Sequence, residues 1–249
     1  MRIGANLTLL FTEYPEADRP AAAARAGFDA VEILFPYNRP PRTVLKDLTR
    51  AGLPLQLINT PEPDWDSGGR GNGAIPGAED DFRAGFRKAL TYARALGAPL
   101  IHVLAGRSDD PAALDTFLAN LLWASAEAPD KFLTLEPLNP QDHPGYALDS
   151  FDKACALLDR AARPNLALQF DIYHAARMGH DPLALLRDLA ERTAHIQFSG
   201  LPDRGAPKDI ADLARFLDET GYPGVAAAEY QPPGNTEDSL AWLSTLKSP

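Results

Sequence analysis

Four oxygen-bearing side chains recur along the second half of the chain at nearly regular spacing. Glu136 follows Leu133-Thr134-Leu135, and Asp171 follows Leu168-Gln169-Phe170. Gln197 lies in His195-Ile196-Gln197-Phe198, and Glu229 follows Ala227-Ala228. Their separations of 35, 26 and 32 positions are each about one strand–helix repeat. On parallel strands of one barrel, such residues converge at the C-terminal strand ends, where barrels of this type carry their active sites. Buried carboxylates are costly unless paired or bound to a cation, and two Glu and one Asp in a single mouth repel one another. A divalent cation resolves that conflict. Four oxygen ligands without cysteine suit Mg2+ or Mn2+ better than zinc. The plainer alternative is that one or two of these side chains point outward or pair with arginine at the rim. Two glutamates flanking a substrate also suit proton transfer. A cation polarising a carbonyl acidifies the neighbouring C–H; one Glu removes that proton and the other returns one at the adjacent carbon. That chemistry is isomerisation or epimerisation of a small hydroxycarbonyl compound.

The elements that would position these residues alternate along the whole chain. Strand candidates are 3–9, 30–35, 54–59, 100–105, 132–138, 166–172, 194–198 and 224–230, short apolar runs bounded by Gly, Pro, Asn or Asp. The last run is weak by propensity and rests on the turn residues Gly221-Tyr222-Pro223-Gly224 before it. Helices are expected at 17–26, 42–51, 80–96, 109–126, 150–161, from Asp181-Pro182 onward, at 209–217 and at 236–246. In the third of these, Phe82, Phe86, Leu90 and Ala93 share one face, and Gly97 follows as a stop. Asp109-Asp110-Pro111 offers an acidic cap followed by proline. Eight units without a dividing linker predict an α/β fold, one (β/α)8 TIM barrel spanning residues 1–249 as a single domain. An open doubly wound sheet is the alternative, but its glycine fingerprint is missing from the first turn, Thr8-Leu9-Leu10-Phe11-Thr12-Glu13.

One connection, between Thr60 and Glu79, is long and without helical or strand period. Long loops inside compact folds are usually functional or disordered, and this one is expected to be a lid over the strand ends. Its Gly69-Arg70-Gly71-Asn72-Gly73 fits neither the dinucleotide nor the P-loop phosphate pattern.

Bulk properties narrow the function classes. With 24 Lys+Arg against 34 Asp+Glu, the net charge of −10 opposes nucleic-acid phosphates, and no basic patch offsets it. The single cysteine, Cys155, excludes an intrachain disulfide and cysteine-based zinc motifs and fits a reducing cytoplasmic setting. Neither a signal peptide nor an 18-residue apolar span is evident, so no membrane partner is expected. A homo-oligomer is left open.

Several stretches, in order and spread over almost the whole chain, carry a more specific likeness. They include 5–11 with Glu13-Tyr14, Val31-Glu32-Ile33-Leu34-Phe35-Pro36-Tyr37, Asp64-Trp65 with Arg70-Gly71, and Ile75-Pro76-Gly77. Others are 92–97, Glu136-Pro137-Leu138-Asn139 with Asp142 and Pro144-Gly145, 169–174, and Glu229-Tyr230 with 239–243. In these the chain resembles the hydroxypyruvate isomerase family within the xylose isomerase-like barrels. The resemblance implies interconversion of hydroxypyruvate and tartronate semialdehyde, with Glu136 and Glu229 as the catalytic pair. Asp171 and Gln197 complete the implied ligand set for Mg2+ or Mn2+. By the same likeness His174 and Arg204 contact substrate oxygens, and a carboxylate would suit the arginine. Asn59 and Asp142 are further substrate-contact candidates, and Trp65 and Phe11 would wall the pocket. The chain departs from the pattern after Gln197. Gly200 stands where an acidic residue is usual, and Arg204-Gly205-Ala206-Pro207 runs straight into Lys208-Asp209-Ile210, which shortens that loop.

A four-carbon 2-oxo-tetronate or a related sugar acid or ketose, isomerised or epimerised by the same chemistry, is the nearest alternative. A metal-dependent dehydratase, an endonuclease IV-like hydrolase and a non-catalytic barrel stand further away. Other histidines read as structural: His195 and His102 as hydrogen-bonded interior residues, His143 and His180 as solvated loop residues. Cys155 reads as a small helix-core residue.

Overall fold

Eight short parallel strands pair in sequence order, and the last closes on the first. A computed structural model describes residues 1–62, 64–208 and 210–247. The strands are β1 (Arg2–Asn6), β2 (Ala30–Glu32), β3 (Leu55–Asn59), β4 (Leu100–His102), β5 (Phe132–Leu135), β6 (Leu166–Asp171), β7 (Thr193–Phe198) and β8 (Val225–Ala228). Between them run α1 (Arg19–Ala26), α2 (Pro41–Ala51), α3 (Glu79–Leu96), α4 (Ala113–Glu127) and α5 (Phe151–Ala161). After β6 come α6 (Ile172–Arg177) and α7 (Pro182–Asp188), and later α8 (Ala211–Thr220) and α9 (Leu243–Lys247). This is the (β/α)8 barrel expected. Among the described residues no helix is long and apolar enough to cross a membrane.

The run Val225–Ala228 forms a strand despite its weak propensity because β1 and β7 hydrogen-bond to it on either side. Its alanines are fully buried, so tertiary pairing outweighs local preference. Most expected strands are cut short at their C-terminal ends, where the chain leaves the sheet to build the mouth. β2 and β4 keep three residues each.

Ser150 caps α5 by accepting from Lys153 N at 3.3 Å. Asp181 caps α7 by accepting from Leu183 N and Ala184 N at 3.1 and 3.0 Å, with Pro182 in the first turn. The start expected at Asp109 is corrected: α4 begins at Ala113, because Asp110 folds back in a turn, its Oδ1 accepting from Ala112 N at 2.8 Å. α6 was not expected at all; it begins at the residue after Asp171, whose Oδ1 caps it by accepting from Tyr173 N at 2.8 Å. Asp209, the expected start of the next helix, lies outside the described residues, and α8 begins at Ala211. The C-terminal helix expected over 236–246 is two pieces, a 3-10 turn at Thr236–Ser239 and then α9. The break between them lets Trp242 pack edge-on against Phe28, Phe198 and Tyr230.

The long 60–79 connection is fastened to the barrel. Gly71 pairs with Ala105, and Gly73 N and Ala74 N donate to the carbonyls of Leu104 and Ala105 at 3.1 and 2.6 Å. Asn120 of α4 donates to the Gly73 carbonyl at 2.8 Å. The fit is backbone against backbone. A Cβ at Gly71, whose φ is 91°, would overlap Leu104, and one at Gly106, φ 96°, would overlap the Gly71 carbonyl.

Candidate active site

The strand alternation that turns Glu136, Asp171 and Gln197 inward also turns in the residue two positions earlier on each strand, Thr134, Gln169 and His195. These form a polar layer beneath the mouth, joined by Asn6 from β1 and Glu32 from β2, every member buried. Thr134 donates to Gln169 Oε1 at 2.9 Å, and Gln169 Nε2 donates to Glu136 Oε2 at 3.0 Å and to Gln197 Oε1 at 2.7 Å. Gln197 Nε2 in turn donates to Glu32 Oε2 at 2.9 Å, as does Asn6 Nδ2 at 3.2 Å, while His195 Nε2 bonds Glu32 Oε1. Glu32 and Gln169 were not anticipated as part of the site. The two-residue periodicity on β6 could have found Gln169, and a lone carboxylate inside an apolar strand could have found Glu32.

Above this layer Glu136, Asp171 and Glu229 face one another around a single guanidinium. Arg204 Nη2 donates to Asp171 Oδ2 at 3.0 Å and to Glu229 Oε1 at 2.8 Å. Burial, and then the like charges of Glu229 and Asp171, hold the Glu136 carboxyl well above the usual range. Burial raises Glu229 to about 7 and Asp171 also upward, although Arg204 pulls both back. Burial opposes the Arg204 charge, but Asp171, Glu229 and Glu136 outweigh it and hold its pKa above the ordinary value. His174 lies against the same cluster, with Nε2 3.7 Å from both Glu136 Oε1 and Asp171 Oδ2. Its Nδ1 accepts from the Asn139 backbone N–H at 3.1 Å, and its Nε2 faces the Arg204 Nη1 donor at 3.1 Å. Burial and the Arg204 charge keep His174 well below its usual pKa, in the neutral form.

The donor set fits a divalent cation. Glu136, Asp171 and His174 each offer one ligand atom, all within 4.8 Å of one another. Three buried carboxylates share one arginine, a charge excess that a hard cation offsets with oxygen ligands. The Gln197 amide oxygen accepts from Gln169 and retains a second lone pair for such a role.

A cavity of about 730 Å3 opens above the cluster, lined by Glu136, Gln197, Glu229, His174, Arg204, Asn59, Asp142 and Trp65 among others. Asp171 is almost wholly buried, with Arg204 bonded to it. The Asn59 Oδ1 is buried without a partner among the described residues, so it can accept from a substrate hydroxyl. Asp142 is tied down, accepting from Tyr173 OH at 2.6 Å, Asn139 Nδ2 at 2.9 Å and Arg177 Nη2 at 3.3 Å. The expectation that Phe11 walls the pocket is corrected. Phe11 adopts a positive φ of 59°, is fully buried, and packs against Tyr14 and Phe28 away from the cavity lining.

Two histidines also depart from expectation. His102 lines the cavity with neither ring nitrogen hydrogen-bonded among the described residues, its Nδ1 3.5 Å from Glu136 Oε2. Burial, with His195 nearby, pushes it down to about 3, so it is neutral. His143 is a cavity wall rather than a solvated loop residue. It accepts from Arg70 Nε at 3.3 Å, and burial and the Arg70 charge lower it to about 4. His195 is the buried structural residue anticipated, and His180 is exposed.

Known proteins share both the chain and the barrel. The model of the xylose isomerase-like TIM barrel family matches residues 20–246. The hydroxypyruvate isomerase of Escherichia coli K12 is 35% identical, aligned over 99% of this chain and 100% of that protein. The 2-oxo-tetronate isomerase of Cupriavidus necator is 38% identical over 97% of each. A crystal structure described as an AP endonuclease, family 2, from Brucella melitensis superposes with a TM-score of 0.93 at 36% identity, covering 98% of both chains. With the fold, the order of the motifs and these full-length matches in agreement, the chain belongs to the hydroxypyruvate isomerase family of xylose isomerase-like TIM barrels.

Proposed function

We propose that this chain is a divalent-metal-dependent isomerase that interconverts hydroxypyruvate and tartronate semialdehyde, with Glu136 and Glu229 as the proton-transferring pair. The observation that carries the reading is the buried trio Glu136, Asp171 and Glu229 at the foot of the cavity. Glu136, Asp171, Gln197 and Glu229 would hold Mg2+ or Mn2+, which would supply Lewis-acid polarisation of the substrate.

The chain's own residues perform the proton transfers. One glutamate removes a proton from the hydroxymethyl carbon of hydroxypyruvate, and the electron pair forms the carbon–carbon double bond of an enediol. The other glutamate delivers a proton to the former carbonyl carbon, and the remaining hydroxyl proton passes between the two oxygens, leaving an aldehyde beside a secondary alcohol. His174, neutral and facing the cavity beside Glu136, contacts a substrate oxygen. Arg204, bonded to both Asp171 and Glu229, holds those carboxylates in register at the reacting carbons. The lower layer does not react; Gln169 and Glu32 set the rotamers of Glu136 and Gln197.

A second reading, isomerisation of a 2-oxo-tetronate, is favoured by the cavity of about 730 Å3, which exceeds a three-carbon acid, and by the activity named for the Cupriavidus relative. Hydrolysis of abasic DNA is disfavoured by the net charge of −10 and by the histidines. Of five, His195 is bonded to Glu32 and His180 is exposed, which leaves too few for a histidine-rich zinc cluster.

The test is a coupled isomerase assay of the purified chain on both acids with Mn2+ present. Turnover that EDTA abolishes and Mn2+ or Mg2+ restores is expected. No turnover of either acid with Mn2+ would remove the proposal.

A further inference from the structure

The inner site holds more acid than base, and Arg204, the only arginine bonded to its carboxylates among the described residues, is committed to two of them. An acidic substrate entering such a site needs a second cation for its carboxylate, one that is not already neutralised. Arg70 is that residue's counterpart on the cavity wall. It is half-buried and makes no ion pair among the described residues. The Glu62 carboxylate on the same loop is taken by the backbone N–H groups of Asp64 and Gly71. Burial and the charge of Arg107 hold Arg70 below the ordinary guanidinium value, with Glu62 pulling it partly back.

Arg70 is also held still. Its guanidinium stacks on the Trp65 ring at 4.0 Å. Nη1 donates to the carbonyls of Trp65 and Gly69 at 3.2 and 2.6 Å, and Nε donates to His143 Nδ1 at 3.3 Å. Nη2 donates to no protein group among the described residues. The loop carrying it is clamped to the end of β4 through Gly71 and Gly106. A stacked arginine with one open edge and a fixed backbone is preorganised for an anion and loses little entropy on binding it. From Arg70 the wall continues through His143, whose ring centre is 5.5 Å from that of His174, and His174 lies 3.7 Å from Glu136, so the cation and a proton-transferring glutamate line one cavity.

We infer that Arg70, oriented by Trp65 and His143, binds the carboxylate of the substrate and so selects hydroxy-oxo acids over neutral ketoses. The inference rests on the isomerase reading, and Arg204 is left to the reacting end of the molecule.

The experiment compares the full-length wild type, loaded with Mn2+, with Arg70→Met and Arg70→Lys, checking that melting temperatures are unchanged. For hydroxypyruvate, KM is expected to rise about 30- to 100-fold in Arg70→Met, with kcat changed less than about threefold and partial recovery in Arg70→Lys. Neutral dihydroxyacetone should be handled alike by wild type and both variants. In calorimetry, the unreactive acid D-glycerate should bind the wild type and lose about the same factor in Arg70→Met. Unchanged KM and unchanged glycerate affinity overturn the role of Arg70 while leaving the isomerase intact. A wild type that turns over neither acid yet binds glycerate through Arg70 overturns the isomerase reading and supports the carboxylate site. Equal losses on dihydroxyacetone would mark Arg70 as merely structural and sink the inference.

Discussion

Two polar layers lie one above the other inside the same barrel, and they solve the problem of burying polar groups in opposite ways. In the lower layer, Glu32, His195, Asn6, Gln169 and Thr134 are linked to one another and through Gln197 above them, with only the His195 Nδ1 left unpartnered among the described residues. In the upper layer three carboxylates share one arginine and are driven toward protonation. A network paired almost throughout stabilises and orients; a network with surplus charge is poised to take a cation or pass a proton. Polarity inside a barrel therefore does not by itself mark chemistry. Unbalanced polarity does.

The largest effect should come from the upper layer. Glu136→Gln keeps an acceptor for Gln169 but removes the ionisable group, and kcat for the isomerase reaction should fall by about 10^3-fold or more with the protein still folded. A variant that keeps full turnover would make the upper layer as structural as the lower. Glu32→Gln should do the reverse. It leaves His195 or an amide donor facing an NH2 group, costing about 3 kcal/mol of stability, seen as a drop of roughly 6–12 °C in Tm, with kcat reduced only about tenfold at saturating metal. Loss of turnover without loss of stability would break the distinction between the layers.

A pH series sharpens the same comparison. The Glu136 carboxyl is raised above its free value of 4.5 by burial first and by Glu229 and Asp171 next. A raised acid binds more protons folded than unfolded, so its contribution is fully present below about 4.5 and is lost as pH climbs through the folded value. Measured in EDTA, the Tm of Glu136→Gln should gain on the wild type as pH rises from 4.5 to 8. A gap that stays constant would mean the carboxylates do not repel. Phe11→Leu, outside both layers, should cost only about 1 kcal/mol and leave KM unchanged.

The barrel and the upper layer were legible because repetition exposes them: four oxygen side chains at one repeat spacing require strands of like depth. The lower layer was half legible. His195 stands two residues before Gln197 and so shares its face, and Gln169 stands in the same relation to Asp171. Glu32 was hidden by the apolar residues around it, which read as strand and gave no hint that β2 ends at that carboxylate. Phe11 misled because a left-handed residue at φ 59° reverses the direction in which its ring points, and a β-branched or aromatic side chain gives no sequence warning of that. The start of α6 was concealed by function, since Asp171 ends a strand and caps a helix at once. The 60–79 segment was legible as a cover over the strand ends, but its fastening was not, because backbone groups make it and every residue carries those.

That fastening gives the molecule a division of labour open to engineering and to divergence. Because Gly71 and Gly106 fasten the 60–79 segment to the barrel through backbone groups, residues 65 and 70 can be exchanged like the bits of a tool while the barrel and its floor stay unchanged. New substrates would then be gained by swapping the wall, one residue at a time, with no need to reinvent the proton transfer beneath it.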